Sequence, residues 1–133
     1  MGESLESNHQ QRIVLVADDS ESSRDLLRII LQRAGCSVVE ARDGQEALDQ
    51  AWACSPNMLI LDLNMPGPDG YEVARRLREM PAFASTPILA LSAAASEANE
   101  ARLTEAGFSM FVEKPIAPAK LRACIGQLLS GHC

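Results

Sequence analysis

Two apolar runs in this sequence stop at aspartates. Residues 58–61 contain no polar residue and are followed by Asp62, and residues 13–17 are followed by Asp18 and Asp19. An unbroken apolar run of this length predicts a strand that is buried on both faces of a parallel sheet. The carboxyl ends of parallel strands gather at one edge, which is where open α/β sheets place their ligand sites. We therefore expect these three carboxylates to lie close together.

Two further apolar runs end in polar groups that suit the same site. Residues 88–91 are followed by Ser92, and Lys114 comes two positions after residues 110–112. Three neighbouring carboxylates repel one another, so keeping all of them ionised at neutral pH requires a cation. Oxygen ligands without histidine or cysteine select a hard ion, and Mg²⁺ suits a shallow site that retains several waters. A lysine and a hydroxyl beside such an ion favour a phosphoryl group as the bound anion.

Each of these residues also has an ordinary structural explanation. An aspartate or serine after a strand is often the N-cap of the next helix, and a lysine before a proline is usually a solvated charge. Four of the five predicted strands, however, end in a residue that can bind metal or phosphate. This convergence favours a functional site at the carboxyl edge of the sheet.

Helices alternate with the strands along the chain. A further short strand is predicted at residues 36–41. A weakly amphipathic stretch at residues 96–106 predicts one helix, and apolar residues at helical spacing predict four others. The four apolar sets are Leu27, Ile30, Leu31 and Ala34; Ala47, Leu48, Ala51 and Trp52; Tyr71, Val73, Ala74, Leu77 and Met80; and Leu121, Cys124, Ile125 and Leu128. Five successive βα units predict an α/β fold, a doubly wound five-stranded parallel sheet with helices on both faces.

Leu26 and Ile29 lie off the core stripe of the first helix. Two interpretations of these residues stay open. The helix has either a wide core face or a docking surface for a partner helix, because exposed apolar residues are informative only where they form a contiguous patch.

Length and composition limit the class of protein. The 133 residues predict one domain, 13–129, between a disordered lead-in at 1–12 and a short tail at 130–133. The formal net charge of −6 argues against a nucleic-acid partner, because clustered Lys and Arg bind phosphate backbones. No apolar run approaches the roughly 20 residues that span a bilayer, so we expect no membrane insertion. Four cysteines without a C-x-x-C pair favour reduced thiols and a cytoplasmic location.

The ordered set of strand-end residues resembles the receiver domain of two-component response regulators. The set spans about residues 13–129 and comprises Asp18, Asp19, Asp62 followed by the loop MPGPDG, Ser92, Lys114 and Pro115. The separations of 30 positions from Asp62 to Ser92 and 52 positions from Asp62 to Lys114 are in keeping with the family pattern. The resemblance implies a flavodoxin-like sheet with the strand order 2-1-3-4-5.

The resemblance also implies the chemistry of the acidic residues. Asp62 would be the phosphoacceptor and would take a phosphoryl group from a histidine kinase or a histidine phosphotransfer protein. Asp18, Asp19, Asp62 and the backbone carbonyl of Asn64 would hold Mg²⁺. The chain would then be a switch that is modified and not an enzyme with a separate turnover substrate.

The remaining matched residues would bind the phosphoryl group and report it. Ser92 and Lys114 would bind its oxygens, Ser92 and Phe111 would be the switch residues, and Pro115 is a candidate cis-proline. Phosphorylation adds charge of about −1.5 to −2, and the implied response is a shift in the face formed by helix 4, strand 5 and helix 5. The output partner is not recoverable from the sequence. The chain fits a stand-alone regulator, or the receiver module of a hybrid histidine kinase or of a longer regulator.

Three other functions share parts of this pattern. A Mg²⁺-dependent phosphohydrolase with an aspartyl nucleophile needs a second acid two residues after the nucleophile, where this chain has Asn64. A nucleotide-binding module needs glycines in the first βα turn, which here reads Asp18-Asp19-Ser20-Glu21. A receiver that works without phosphorylation would not need the intact acid set.

Overall fold

The computed structural model describes residues 12–93 and 99–129, and their core is one parallel sheet. Its five strands lie in the order β2-β1-β3-β4-β5, which confirms the predicted fold class. The strands are β1 (Ile13–Ala17), β2 (Ser37–Ala41), β3 (Met58–Asp62), β4 (Ile88–Ser92) and β5 (Met110–Glu113). The helices are α1 (Glu21–Arg33), α2 (Gly44–Cys54), α3 (Gly70–Arg78), α4 (Glu100–Ala106) and α5 (Pro118–Leu128), with a 3₁₀ turn at Pro81–Phe83 before β4.

Alternate residues of the central strands β1, β3 and β4 enter two separate cores. On one face, Leu15, Leu59 and Ile88 pack with the buried stripes of α2, α3 and α4. On the other face, residues such as Val14 and Ile60 pack with the stripes of α1 and α5. The β3 strand is buried along its whole length, which explains its unbroken apolar sequence. Burying each such side chain contributes about 1.5–3 kcal/mol before the cost in conformational entropy.

Polar side chains cap four of the five helices in the described ranges. Each caps an orphan N–H of the first helical turn: Ser20 accepts from the amide of Ser23, Asp43 from that of Glu46, Asp69 from that of Glu72, and Asn99 from that of Arg102. These caps therefore fix the residue at which each of the four helices begins. The α5 helix begins instead with Pro118 in its first turn, where the missing N–H of proline costs nothing.

The register of the sheet aligns the strand ends. Ala17 pairs with Leu61, and Asp62 pairs with Leu91. Asp18 and Asp62 therefore leave the sheet at the same level on neighbouring strands, with the end of β4 beside them.

Several details differ from the sequence predictions. Trp52 is 69% exposed, so its assignment to the buried face of α2 is wrong. That face consists of Gly44, Ala47, Leu48 and Ala51, which indicates a close approach that leaves no room for an indole. Cys54 and Cys124 are free thiols, but Cys36 is disulfide-bonded, so the expectation of four reduced thiols is wrong there.

Some predictions lie partly outside the described residues. The predicted start of α4 at Ser96 falls in the stretch that is not described, and the helix is described from Glu100. Residues 1–11 of the predicted lead-in and the predicted tail, 130–133, also lie outside the described residues. The α3 helix is described throughout and ends at Arg78, before Met80. Among the helices of the described ranges, none has the length and apolar character needed to cross a bilayer.

Candidate functional site

Three carboxylates meet at the carboxyl edge of the sheet. Asp18 is fully buried, Asp62 is 3% exposed, and Asp19 is exposed. One oxygen from each residue lies within 4.8 Å of the others. The structure therefore brings together the three acids that the strand-end pattern predicts.

Backbone amides orient two of these carboxylates. Asp18 accepts a hydrogen bond through Oδ1 from the amide of Ser20 at 2.9 Å, and its own amide donates to the carbonyl of Ala41 at 3.1 Å. Asp62 accepts through Oδ1 from the amide of Asn64 at 3.1 Å. In both residues the second oxygen, Oδ2, is left to face the centre of the site.

Lys114 supplies the positive charge at that centre. Its Nζ lies 2.8 Å from Oδ2 of Asp18 and 3.3 Å from Oδ2 of Asp62. Its backbone amide donates to the carbonyl of Ser92 at 2.7 Å, and the Lys114–Pro115 peptide bond is cis. Burial disfavours the charged ammonium, but Asp18 and Asp62 outweigh that effect, so the pKa of Lys114 lies above its ordinary value.

The charge balance on Asp62 is unfavourable. Burial raises the pKa of its carboxyl from 3.8 to about 6, and the negative charge of Asp18 adds to this rise, against the amide of Asn64 and the ammonium of Lys114. One ammonium between two buried carboxylates leaves a net negative site. Such a site favours an added cation.

The oxygens present suit Mg²⁺. Oδ2 of Asp18 is fully enclosed, and no regular hydrogen bond reaches it from the described residues, although Lys114 forms an ion pair with it. A buried carboxylate oxygen in this state fits a metal ligand. Carboxylate oxygens without nitrogen or sulfur donors match a hard divalent ion. The backbone carbonyl of Asn64 follows directly in the loop after β3.

The two proposed switch residues occupy different positions. Ser92 is fully buried at the end of β4, beside the acids in the sheet. Phe111 is 36% exposed on β5 and lines a groove with Leu103 and Met110. Phe111 therefore lies in a surface groove that α4 and β5 form, and not in the acid cluster.

Two glycines allow the loops around the site to pack closely. A Cβ on Gly70 would lie 2.8 Å from Cα of Leu63 and would also collide with the carbonyl oxygen of Asp62. A Cβ on Gly44 would collide with the carbonyl oxygen of Pro68. The start of α3 is thus pressed against the end of β3, and the loop before α3 rests on the start of α2.

Sequence reasoning missed a buried arginine behind the acids. Arg24 is 8% exposed, and its Nη1 donates to the backbone carbonyl of Asp18 at 2.7 Å. Its Nε also donates to Glu40 at 3.2 Å. An arginine on the otherwise apolar face of α1 was the available signal, because a buried guanidinium requires partners.

Comparison with known proteins agrees with this geometry. Residues 14–126 match the family described as the response regulator receiver domain. The chain belongs to this family. Receiver domains are phosphorylation-dependent signalling switches of two-component systems that accept phosphoryl groups from histidine kinases, and they are not metabolic enzymes as a class.

Similar proteins include both longer regulators and chains of comparable length. The transcriptional regulatory protein ResD of Bacillus subtilis is 39% identical over 116 residues, which are 87% of this receiver domain chain and 47% of ResD. An uncharacterized 14.6 kDa protein of Leptolyngbya boryana is 36% identical over 88% of this chain and 89% of that protein. The structure of the chemotaxis protein CheY4 of Vibrio cholerae superposes with a TM-score of 0.84 at 32% identity, over 89% of this chain and 98% of CheY4. The receiver domain thus spans about half the length of ResD.

Proposed function

We propose that Asp62 is the phosphoacceptor of this receiver domain. The observation that supports this assignment is its position: a buried carboxylate with Nζ of Lys114 at 3.3 Å and oxygens of Asp18 and Asp19 within 4.8 Å. In the proposed reaction an oxygen of Asp62 forms the bond to phosphorus while the bond from phosphorus to the donor's imidazole nitrogen breaks. The donor is a histidine kinase or a histidine phosphotransfer protein.

The other charged residues assist by binding and orientation. Asp18, Asp19, Asp62 and the carbonyl of Asn64 would hold Mg²⁺, which when bound neutralises charge on the phosphoryl oxygens. Lys114 exchanges its contact with the Asp62 carboxylate for one with a phosphoryl oxygen. The site has no acid at position 64 to protonate a leaving group or activate water, which supports a switch over a phosphohydrolase.

The proposed switch starts at the new phosphoryl group. Ser92 at the adjacent strand end donates its hydroxyl to a phosphoryl oxygen, and this moves the segment that follows β4. Phe111 then turns inward from its surface position, and the face formed by α4, β5 and α5 changes shape. A partner that binds the altered face better shifts the population toward it. Pro115, whose peptide bond with Lys114 is cis, begins the segment that leads to α5.

The biological setting is part of the same proposal. The domain is taken as 13–129, cytoplasmic, with a short lead-in and tail. Either a stand-alone regulator or a module of a hybrid kinase or longer regulator fits this assignment. The negative net charge of −6 supports a protein as the reader of the switch, because phosphate backbones bind basic surfaces.

Labelling with acetyl phosphate tests the assignment of Asp62. Intact-mass spectrometry in Mg²⁺ should show one added phosphoryl group on the wild-type chain, none on Asp62→Asn, and wild-type labelling on Asp69→Asn. Asp69 is the matched control because it is an aspartate in the same loop that acts as the N-cap of α3, and asparagine caps equally well. Equal labelling of Asp62→Asn and the wild type, or no labelling of the wild type, would refute the proposal.

A further inference from the structure

Arg24 is a buried cation directly behind the acid cluster. It projects from α1 and is 8% exposed, which is uncommon for an arginine unless the guanidinium is paired. Its Nη1 donates to the backbone carbonyl oxygen of Asp18 at 2.7 Å, and its Nε donates to Oε1 of Glu40 on β2 at 3.2 Å. The side chain thus links three elements at the site: α1, β2 and the end of β1.

The carbonyl that Arg24 contacts belongs to the peptide unit between Asp18 and Asp19. Because a peptide unit is planar, fixing its oxygen also fixes its N–H and therefore the direction in which the chain enters Asp19. On the other side, the amide of Asp18 donates to the carbonyl of Ala41 at 3.1 Å. Arg24 and Ala41 together hold the backbone from which both aspartate side chains project.

Glu40 holds the guanidinium in this orientation. Its second oxygen, Oε2, accepts from Arg28 at 3.2 Å, and Arg28 also pairs with Asp25. Arg28 is one-third exposed, and among the described residues its side chain bonds to Asp25 and Glu40 instead of the carbonyl of Asp18. The network therefore contains one arginine that touches the acid-bearing backbone and one that does not.

We propose that Arg24 is a positioning residue for the metal site of this receiver domain. It sets the spacing of Asp18 and Asp19 through their shared peptide unit, without touching the ion or the phosphoryl group. This inference rests on the proposed function, because it assumes that Asp18 and Asp19 hold Mg²⁺. Removing a residue that orients metal ligands typically weakens metal binding by about 10- to 100-fold.

Magnesium affinity of the unphosphorylated chain tests this role. The dissociation constant is read from amide chemical shifts during a Mg²⁺ titration of the full chain, for the wild type, Arg24→Met and Arg28→Met. We expect Arg24→Met to weaken binding by about tenfold or more. Arg28→Met should stay within about twofold, because Arg28 pairs with the side chains of Asp25 and Glu40 and not with the backbone that carries the aspartates. Equal weakening in both variants would overturn the proposal, because the hydrogen bond to the carbonyl of Asp18 comes from Arg24 and not from Arg28.

A second readout separates positioning from general destabilisation. The amide of Asp19 shares its peptide unit with the carbonyl that Arg24 binds, so its metal-free chemical shift should move in Arg24→Met and stay in place in Arg28→Met. If Arg24→Met does not fold, Arg24→Lys takes its place: it keeps the charge but cannot bridge Asp18 and Glu40 as a guanidinium does. Arg24→Lys should then bind Mg²⁺ more weakly than the wild type, and an unchanged affinity in a folded Arg24 variant would overturn the proposal.

The outcome is distinguishable from failure of the proposed function. A wild-type chain that binds Mg²⁺ and is labelled by acetyl phosphate, with Arg24 variants of unchanged affinity, refutes only the positioning role. A wild-type chain that does not bind Mg²⁺ refutes the metal site, and the role of Arg24 with it.

Discussion

At the scale of single residues, the Asp62 carboxylate is in an unfavourable environment before any ligand binds. It is removed from water beside the buried charge of Asp18, and one ammonium from Lys114 is shared between them. Such strain is expected where a group is placed for reaction and not for stability. The same environment makes the site receptive to a cation, which we propose is bound when Asp62 accepts a phosphoryl group.

Replacing Asp62 by asparagine should stabilise the metal-free protein at high pH. The folded pKa of Asp62, about 6, lies above its ordinary value of 3.8. Its protonated form is therefore favoured by folding, and this contribution is lost as the pH rises through about 6. We expect Asp62→Asn to gain about 1–3 kcal/mol in unfolding free energy over the wild type near pH 8 and to gain little near pH 4.

Urea titrations in a chelator at the two pH values measure this difference. Asp69→Asn is the control. Aspartate and asparagine cap a helix equally well, so no change of comparable size is expected at this N-cap of α3. A gain for Asp62→Asn that is the same at both pH values would contradict the charge argument.

At the scale of elements, the site depends on how closely α3 approaches the end of β3. Gly70, the first residue of α3, packs against the backbone of Asp62 and Leu63. The amide of Gly70 also donates to the carbonyl of Leu63 at 3.1 Å. These contacts are with main-chain atoms, which cannot move aside as the end of a flexible side chain can. The position of Asp62 is therefore coupled to the absence of a side chain at residue 70.

Substituting Gly70 by alanine should damage both the fold and the site. We expect a loss of about 1–3 kcal/mol in unfolding free energy from overpacking, and less labelling of Asp62 by acetyl phosphate. Gly67→Ala is the matched control: Gly67 has φ +73° with nothing within 4 Å of an added Cβ, so it should lose about 1 kcal/mol and keep wild-type labelling. Wild-type labelling of a folded Gly70→Ala would show that the close approach does not position Asp62.

Arg78 connects α3 to the end of α4. Its Nε and Nη2 donate to the carbonyl of Gly107 at 3.0 and 2.7 Å, and its Nη1 donates to the carbonyl of Phe83 at 2.6 Å. Burial lowers the pKa of this guanidinium, and the hydrogen bonds compensate for the lost water. The α4 helix is only seven residues long, so much of its stability comes from such contacts.

Arg78→Met should therefore loosen α4 more than the rest of the domain. We expect a loss of about 1–3 kcal/mol, since two carbonyls lose a charged donor, and faster amide exchange in α4 than in β3. Arg76→Met is the control, because Arg76 is half exposed and pairs with Glu72 at the surface, and its loss should cost less than about 1 kcal/mol. Uniformly faster exchange across all helices in Arg78→Met would argue against a local anchor.

At the scale of the whole molecule, periodicity and strand ends were enough to predict the fold class and the acid cluster, whereas the strand order followed from the family resemblance. The unbroken apolar runs correspond to strands buried on both faces, and the residues that follow them meet because parallel strands share a direction. The contacts of Arg24 with Asp18 and of Gly70 with Asp62 were not predictable in this way. They join main-chain atoms to residues that the sequence places in other elements. Periodicity indicates at most that Arg24 is buried, and it does not identify the carbonyl that Arg24 binds.

Trp52 shows a second limit of periodicity. It follows Leu48 by four positions, so helical spacing alone places it beside the buried stripe. The structure excludes it because α2 approaches the sheet through small residues, with Ala47 and Ala51 fully buried. Helical spacing predicts the direction of a side chain, whereas the distance between helix and sheet decides whether that side chain fits.

The two cores should unfold together, because β3 contributes to both. Leu77 of α3 belongs to the core on one face and Leu31 of α1 to the core on the other, and both are fully buried. Leu77→Ala and Leu31→Ala should each cost about 2–5 kcal/mol, whereas Leu26→Ala on the exposed side of α1 should cost far less.

In urea, amide signals of α1 and α3 should disappear at a common midpoint in every variant, because neither face of β3 can stay buried alone. A lower midpoint for α3 than for α1 in Leu77→Ala would instead show that the two faces are separate cooperative units. A common midpoint would mean that a ligand bound at the carboxyl edge of the sheet, where β1 and β3 both end, stabilises both faces of the domain at once.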